Sequence, residues 1–241
     1  TGRLGSAMIK RDIEIQRNIV EKSLMVIKDF IKAHRRLTLS IIISGMIAFI
    51  AVIIGIVYYE KRENAEIIQY ERILDKYHGS RDINEAEKAA LLKNAVNDIN
   101  KLMDSSYWGF VHRNGYYTIA GMYYSQKMYK EAKEYFLKFA YRQPSSFFAP
   151  LAIQKSAVCS EYLQQYDESL KLYQRLERDY LDSPLTEQIY YDLGRMYQQR
   201  NDIFKAREYY NKIITGFPKS VFVKKTRDRM FFLGYSDKKE K

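Results

Sequence analysis

Histidine, cysteine and paired carboxylates hold metals, move protons or attack carbon, so they are where chemistry in a chain would begin. Three histidines are present, His34, His78 and His112, in unrelated segments. None has a second His or a Cys three or four residues on, the spacing that sets two ligands on one helix face. The single cysteine, Cys159, has no partner for a disulfide and reads as a small apolar core residue. The acid pairs Glu85/Glu87 and Glu131/Glu134 fall on the outer faces of predicted helices, where they are solvated. The sequence contains no Gly-rich phosphate loop, HExxH pair, nucleophile elbow or CxxC. The expectation is a protein with no catalytic residue, no cofactor and no metal, which works by binding.

Composition agrees with a helical binder. Apolar residues make up 46% of the 241 residues, enough for a core, while 11 Gly and 4 Pro are too few for the turns of an all-β fold. The 22 Tyr must be packed at half-buried positions, body in and hydroxyl out. The net charge is +11, but residues 1–59 hold nine Lys/Arg against four Asp/Glu, so the basic density lies beside an apolar stretch. That pattern fits a cytoplasmic membrane flank and argues against a nucleic-acid partner.

Leu37–Tyr59 is 23 residues without a charge. As a helix it would be about 34 Å long, against ~30 Å of bilayer hydrocarbon. The run ends in Ile56-Val57-Tyr58-Tyr59-Glu60-Lys61, with no small-x-small cleavage site and no following Cys for lipidation, so an uncleaved anchor contacting inner-membrane lipid is expected. Lys22, Lys28, Lys32, Arg35 and Arg36 precede it; Lys61, Arg62, Arg72 and Lys76 follow it. The small excess, with Arg35 and Arg36 at the boundary, places the N-terminus in the cytoplasm and the C-terminal domain in the periplasm. Residues 1–7 read as a leftover or upstream extension ahead of a start at Met8. Ile9, Ile13, Val20, Ile27 and Ile31 recur at near-helical spacing among Lys and Arg, as in a basic amphipathic helix on the inner leaflet or in an ordinary solvated juxtamembrane helix.

These elements only position something, and what they position is a repeat. Ala132, Ser169 and Ala206 are 37 apart; Phe136, Tyr173 and Tyr210 keep the same step, as do Pro144, Leu181 and Pro218. Ser146, Ser183 and Ser220 follow two residues later, with Ser106 in a similar place further up; each reads as a helix N-cap, and Pro184 as a first-turn residue. Tight turns fall at Gln126-Lys127-Met128, Gln164-Gln165-Tyr166 and Arg200-Asn201-Asp202. Each unit is then a helix pair closing on a small residue, with Pro144 and Pro218 ending the second helix. One such pair cannot bury its apolar face, so the pairs stack into a solenoid. Upstream, Arg62–Tyr77 reads as a helix, and Asn84-Glu85-Ala86-Glu87 as a capping box for a helix to about Met103. Val221–Leu233 reads as a closing helix, and Lys238–Lys241 as a frayed tail.

At this level the chain resembles the tetratricopeptide repeat family. Tyr116, Ile119, Ala120, Tyr123, Ala132, Phe136 and Pro144 fit its pattern, as do Tyr190, Leu193, Gly194, Tyr197, Ala206, Tyr210 and Pro218. In the middle unit Ile153, Ala157, Ser169 and Tyr173 fit, while Ser160 and Leu181 depart. The layout of basic arm, anchor, rising helix and repeats is similar to the ancillary subunit of the bacterial SecY translocon. The repeats, through Tyr180-Leu181-Asp182-Ser183-Pro184 and Phe217-Pro218-Lys219-Ser220, also look like those of outer-membrane assembly lipoproteins, although the lipidated Cys is missing.

The expected fold class is therefore all-α, a single N-terminal transmembrane helix followed by an α-solenoid. Its parts are a basic arm (1–36), a transmembrane helix (37–59), a membrane-proximal helix pair (60–104), a repeat domain with closing helix (105–235) and a tail (236–241). The resemblance implies that the first helices line a concave groove for other proteins or peptides. Its residues would be Tyr117 and Tyr124, then Gln154, Glu161 and Tyr162, then Tyr191, Arg195, Gln198 and Gln199. Tyr117 and Gly121 stand where a carboxylate clamp needs a cation and an amide, so chaperone C-terminal carboxylates are not expected ligands. Two functions fit: a periplasmic, chaperone-like or translocon-associated adaptor, or a structural subunit of a large envelope machine such as a flagellar motor collar or secretion apparatus, with membrane-complex partners.

Overall fold

The computed structural model describes residues 21–79, 84–105 and 108–234. Ser106, the Lys238–Lys241 tail and the arm positions Ile9, Ile13 and Val20 lie outside the described residues. Two units divide the chain, residues 1–62 and 63–241.

In the first unit residues 21–33 are helical, and helix α1 (Arg35–His78) follows. The uncharged stretch forms the early part of α1 because a helix satisfies its own backbone groups. Within the chain none of its most apolar window is buried; Phe49 and Tyr58 are examples of large exposed side chains.

The second unit takes the remainder of α1 and adds α2 (Glu85–Ser105), α3 (Phe110–Ser125), α4 (Tyr129–Arg142), α5 (Ala149–Tyr162), α6 (Tyr166–Asp179), α7 (Thr186–Gln199), α8 (Ile203–Gly216) and α9 (Phe222–Phe232). The described residues contain no strand. From α2 onward each helix packs on the next, and α9 also reaches α7. Asn84 caps α2 as its sequence predicts, with Oδ1 accepting from the Glu87 N–H at 2.9 Å.

Two cores sit between the helices. Tyr70, Ile99, Met103, Val111, Ile119 and Met122 form one, around the end of α1, α2 and α3. Phe136, Phe139, Ile153, Tyr173, Leu193 and Tyr210 belong to the other, which runs through α3–α9. Ala132, Ser169 and Ala206 are each fully buried, and so are Ala120 and Ala157 on the helices they face. Small side chains at both positions let the paired helices approach closely. Gly194 takes the matching place on α7, and a Cβ there would run into the Tyr210 ring.

The turns within the α3–α4, α5–α6 and α7–α8 pairs share one geometry. Lys127, Gln164 and Asn201, 37 apart, all hold positive φ, at 58°, 61° and 59°. The next residue's N–H reaches back to Tyr123, Ser160 and Tyr197, and the positive-φ residue's own N–H to Tyr124, Glu161 and Gln198. That is the Schellman arrangement, which satisfies the last carbonyls of the first helix.

The serines behave differently from the sequence expectation. Ser146, Ser183 and Ser220 each accept, through Oγ, the N–H two residues on, at Phe148, Leu185 and Phe222. They stabilise a turn, and α5, α7 and α9 begin two or three residues later, with Phe148, Leu185 and Val221 as N-cap residues. Pro184 accordingly sits in that turn and not in the first helical turn. A hydroxyl two residues from an N–H closes a local ring before a helix is needed.

Candidate functional site

The residues singled out for chemistry are occupied structurally. A His112 ring nitrogen lies 2.9 Å from the Met103 carbonyl, and His34 stacks on Phe30. Cys159 is buried, and burial pushes its thiol up to about 11, leaving it protonated and unreactive near neutral pH. Among the described residues no three His, Cys, Asp or Glu side chains are grouped to hold a metal.

The first helices of the pairs, α3, α5 and α7, and the closing α9 are joined by one row of side chains. At the α3–α5 step Tyr124 meets Tyr162 edge-on at 6.5 Å, and Tyr162 stacks flat on Tyr129, 4.2 Å between ring centres. Tyr117 packs against Phe136, Phe139 and Phe148. Lys155 lies over the Tyr124 ring at 5.3 Å. Burial, then the neighbouring Tyr162, raises the Tyr124 phenol to about 12.

At the α5–α7 step the row turns polar. Arg195 donates through Nη1 and Nη2 to both Glu161 oxygens, at 2.5 and 2.7 Å. Its Nη2 also approaches Asp192 at 3.4 Å. Asp192 accepts from Gln154 at 3.2 Å and Gln188 at 2.9 Å, and the Tyr173 hydroxyl donates to Glu161 at 2.8 Å. Asp192 is only 5% exposed, and this burial holds its carboxyl above the usual range although Gln188 and Arg195 pull it down. The hydrogen bonds to Glu161 hold the Arg195 guanidinium firmly protonated. Arg195 is engaged by two carboxylates, Glu161 and Asp192, so it is not a free cation for a ligand carboxylate.

At the α7–α9 step Tyr191 packs on Phe222, and Arg229 donates to the Tyr191 hydroxyl and to Gln198 Oε1, both at 3.0 Å. The Tyr210 hydroxyl also donates to Gln198.

Eight of the residues named from sequence, Tyr117, Tyr124, Gln154, Glu161, Tyr162, Tyr191, Arg195 and Gln198, thus lie in this row, while Gln199 is exposed at the end of α7. Asp192 was missed. Its signal was available: an acid set among Ile189, Leu193 and Met196 on the buried stripe of α7 needs partners. Tyr129, Phe148 and Arg229 carried no signal, since they enter the row from a neighbouring helix or turn.

A tetratricopeptide repeat model matches residues 188–220, which run from α7 through α8 to the following turn. A protein of Treponema pallidum (strain Nichols) described as TPR repeat-containing is 26% identical over 116 residues, 47% of this chain and 48% of its own length. The chain therefore spans about half the length of that relative. A crystal structure of MamA has a TM-score of 0.42 at 16% identity and covers 64% of this chain and 92% of its own. A second structure, MamA MSR-1 C2, has 0.40 at 13%, covering 72% and 97%. Tetratricopeptide repeats, the type matched over residues 188–220, generally bind other proteins.

Proposed function

We propose that this chain is a membrane-anchored adaptor that holds extended protein segments on the first-helix row of its repeats. The observation that carries the reading is the row itself. Aromatic surface at both ends, Tyr117/Tyr124/Tyr162 and Tyr191/Phe222, flanks a centre whose Arg195 is already held by Glu161 and Asp192. Aromatic side chains give large contact area at low entropic cost, and a centre whose arginine is already engaged does not select a carboxylate terminus. A chaperone-like, polyspecific ligand range follows, in the periplasm and near the translocon.

Anchoring is supported by the uncharged 23-residue stretch and by the exposure of its apolar window. The basic excess before it favours a cytoplasmic N-terminus. Photoreactive residues placed at Tyr124, Tyr162 or Tyr191 in cells should yield a ladder of many secretory proteins. A single discrete adduct with one envelope-machine component would replace the adaptor by a fixed scaffold. Protease added to spheroplasts should remove the repeat domain, and a protected domain would reverse the topology.

A further inference from the structure

Within the second unit the pairs α3–α4, α5–α6 and α7–α8 each pack directly together, whereas the end of α1 and α2 are kept apart. α2 is buried against α3 through Leu92, Val96, Ile99 and Met103, and a Cβ on Gly115 of α3 would run into Met103. The end of α1 is fastened to α3 as well. The Tyr70 and Thr118 hydroxyls share a hydrogen bond of 2.5 Å, those of Tyr77 and Ser125 one of 3.1 Å, and Gln126 Nε2 donates to the Tyr77 hydroxyl at 3.0 Å. Both helices lean on α3, and a cleft of about 500 Å³ stays open between them. It continues past Ile73 and Asp98 toward Leu91.

Two helical stripes line this cleft. On α1 the stripe is Gln69, Arg72, Ile73 and Lys76; on α2 it is Leu91, Asn94, Asp98, Lys101, Leu102 and Ser105. Steps of three and four residues put each set on one side of its helix. The α2 stripe runs for about 21 Å, roughly four turns. Ile73, Leu91 and Leu102 give it a half-buried apolar floor. The charges along it are Arg72, Lys76 and Lys101 against one acid, Asp98, which is 51% exposed and lies 3.6 Å from Lys101.

We propose that this slot holds one helix of a partner protein, apolar on the side laid against Ile73, Leu91 and Leu102 and acidic along its edges. A third helix seats between two others because its side-chain ridges enter the grooves they present. Laying an apolar helix face into such a slot is a general mode of peptide recognition. The charge sets the partner's chemistry, since three cations over one acid favour Asp and Glu on the incoming helix. The N-terminal stretch of this chain has the wrong sign, with nine Lys/Arg against four Asp/Glu in residues 1–59. The slot shares no residue with the first-helix row, so it tethers one fixed partner while the row stays available. It stands whether or not the row binds extended segments.

The probe is a fluorescein-labelled peptide of about four helical turns, with leucines on one face and glutamates along both edges. A twin carries lysines in place of the glutamates. Binding to the full chain in phosphatidylcholine nanodiscs is read by fluorescence anisotropy, with the signal of empty discs subtracted. The glutamate peptide should bind the parent. Arg72 and Lys101 are both exposed, so the double variant Arg72→Glu, Lys101→Glu should keep the parent's melting curve. It should weaken the glutamate peptide roughly tenfold and tighten the lysine twin by a similar factor. A photoreactive leucine in the glutamate peptide should insert into residues 69–77 or 91–105. No binding beyond empty discs would overturn the proposal, as would an affinity indifferent to the double variant. Insertion at Tyr124, Tyr162 or Tyr191 would move the peptide to the first-helix row and overturn it. Self-association of the chain that the double variant abolishes would give the slot to a second copy and overturn it too.

Discussion

Replacing Arg195 by Ala should loosen the junction between the second and third helix pairs more than any other polar change in the row. Its guanidinium makes two short bonds to Glu161 and a longer one to Asp192. The side chains are 26% exposed for Arg195, 17% for Glu161 and 7% for Asp192, so water can only partly replace what is lost. Breaking a fully buried pair costs ~3–5 kcal/mol. Glu161 keeps its bond from Tyr173 and its rim of water, and Asp192 keeps Gln154 and Gln188, which lowers the expectation to about 2–3 kcal/mol. For a unit of this size that corresponds to a fall in Tm of about 5–10 °C. The bond crosses from one pair to the next, and stacked repeats are coupled through such nearest-neighbour terms. The transition should therefore broaden as well as shift. The assay is urea unfolding of the full chain in detergent micelles, followed by far-UV circular dichroism, for Arg195→Ala, Glu161→Gln and the double variant. A loss below about 0.5 kcal/mol, the range of ordinary surface changes, would refute the reasoning, as would strict additivity in the cycle.

Three further outcomes follow from other positions. Ser169 Oγ is buried without a hydrogen-bond partner, where Ala132 and Ala206 stand in the sister pairs, so Ser169→Ala should stabilise by about 1 kcal/mol in the same unfolding assay. Gln164→Gly should relieve the cost of a positive φ and lose part of it to unfolded-chain entropy, a net gain of about 0.5 kcal/mol; destabilisation would contradict the turn geometry. Asp192 has its carboxyl pKa raised by burial, so between its ordinary value and the raised one the folded state binds more protons than the unfolded chain. Its contribution is therefore most favourable below the ordinary carboxyl range and declines as pH rises through the raised value. Asp192→Asn should flatten that part of the stability–pH curve relative to the parent, and parallel curves would show that Asp192 does not titrate there.

The period of 37 was legible in the chain because a helix pair repeats its own packing problem. A small residue must recur where helices touch, as at Ala132, Ser169 and Ala206, and an aromatic must recur where they part. The uncharged run and the capping box at Asn84 were local signals and were equally readable. The serines read as helix N-caps and instead form turns, because which N–H each hydroxyl takes depends on the dihedrals between the turn and the helix, and the helices start later than their sequence implies. The first-helix row was legible as a set of positions and not as a network. Sequence gives Glu161 and Arg195 as exposed-looking polar residues on separate helices, 34 apart. Only the stacking of α5 on α7 brings them within a hydrogen bond and buries Asp192 between them. Periodicity along one helix is set by its own backbone geometry, so one sequence determines it. Contacts between helices depend on the rotation and rise from one pair to the next, which the packing of every side chain in the interface decides together.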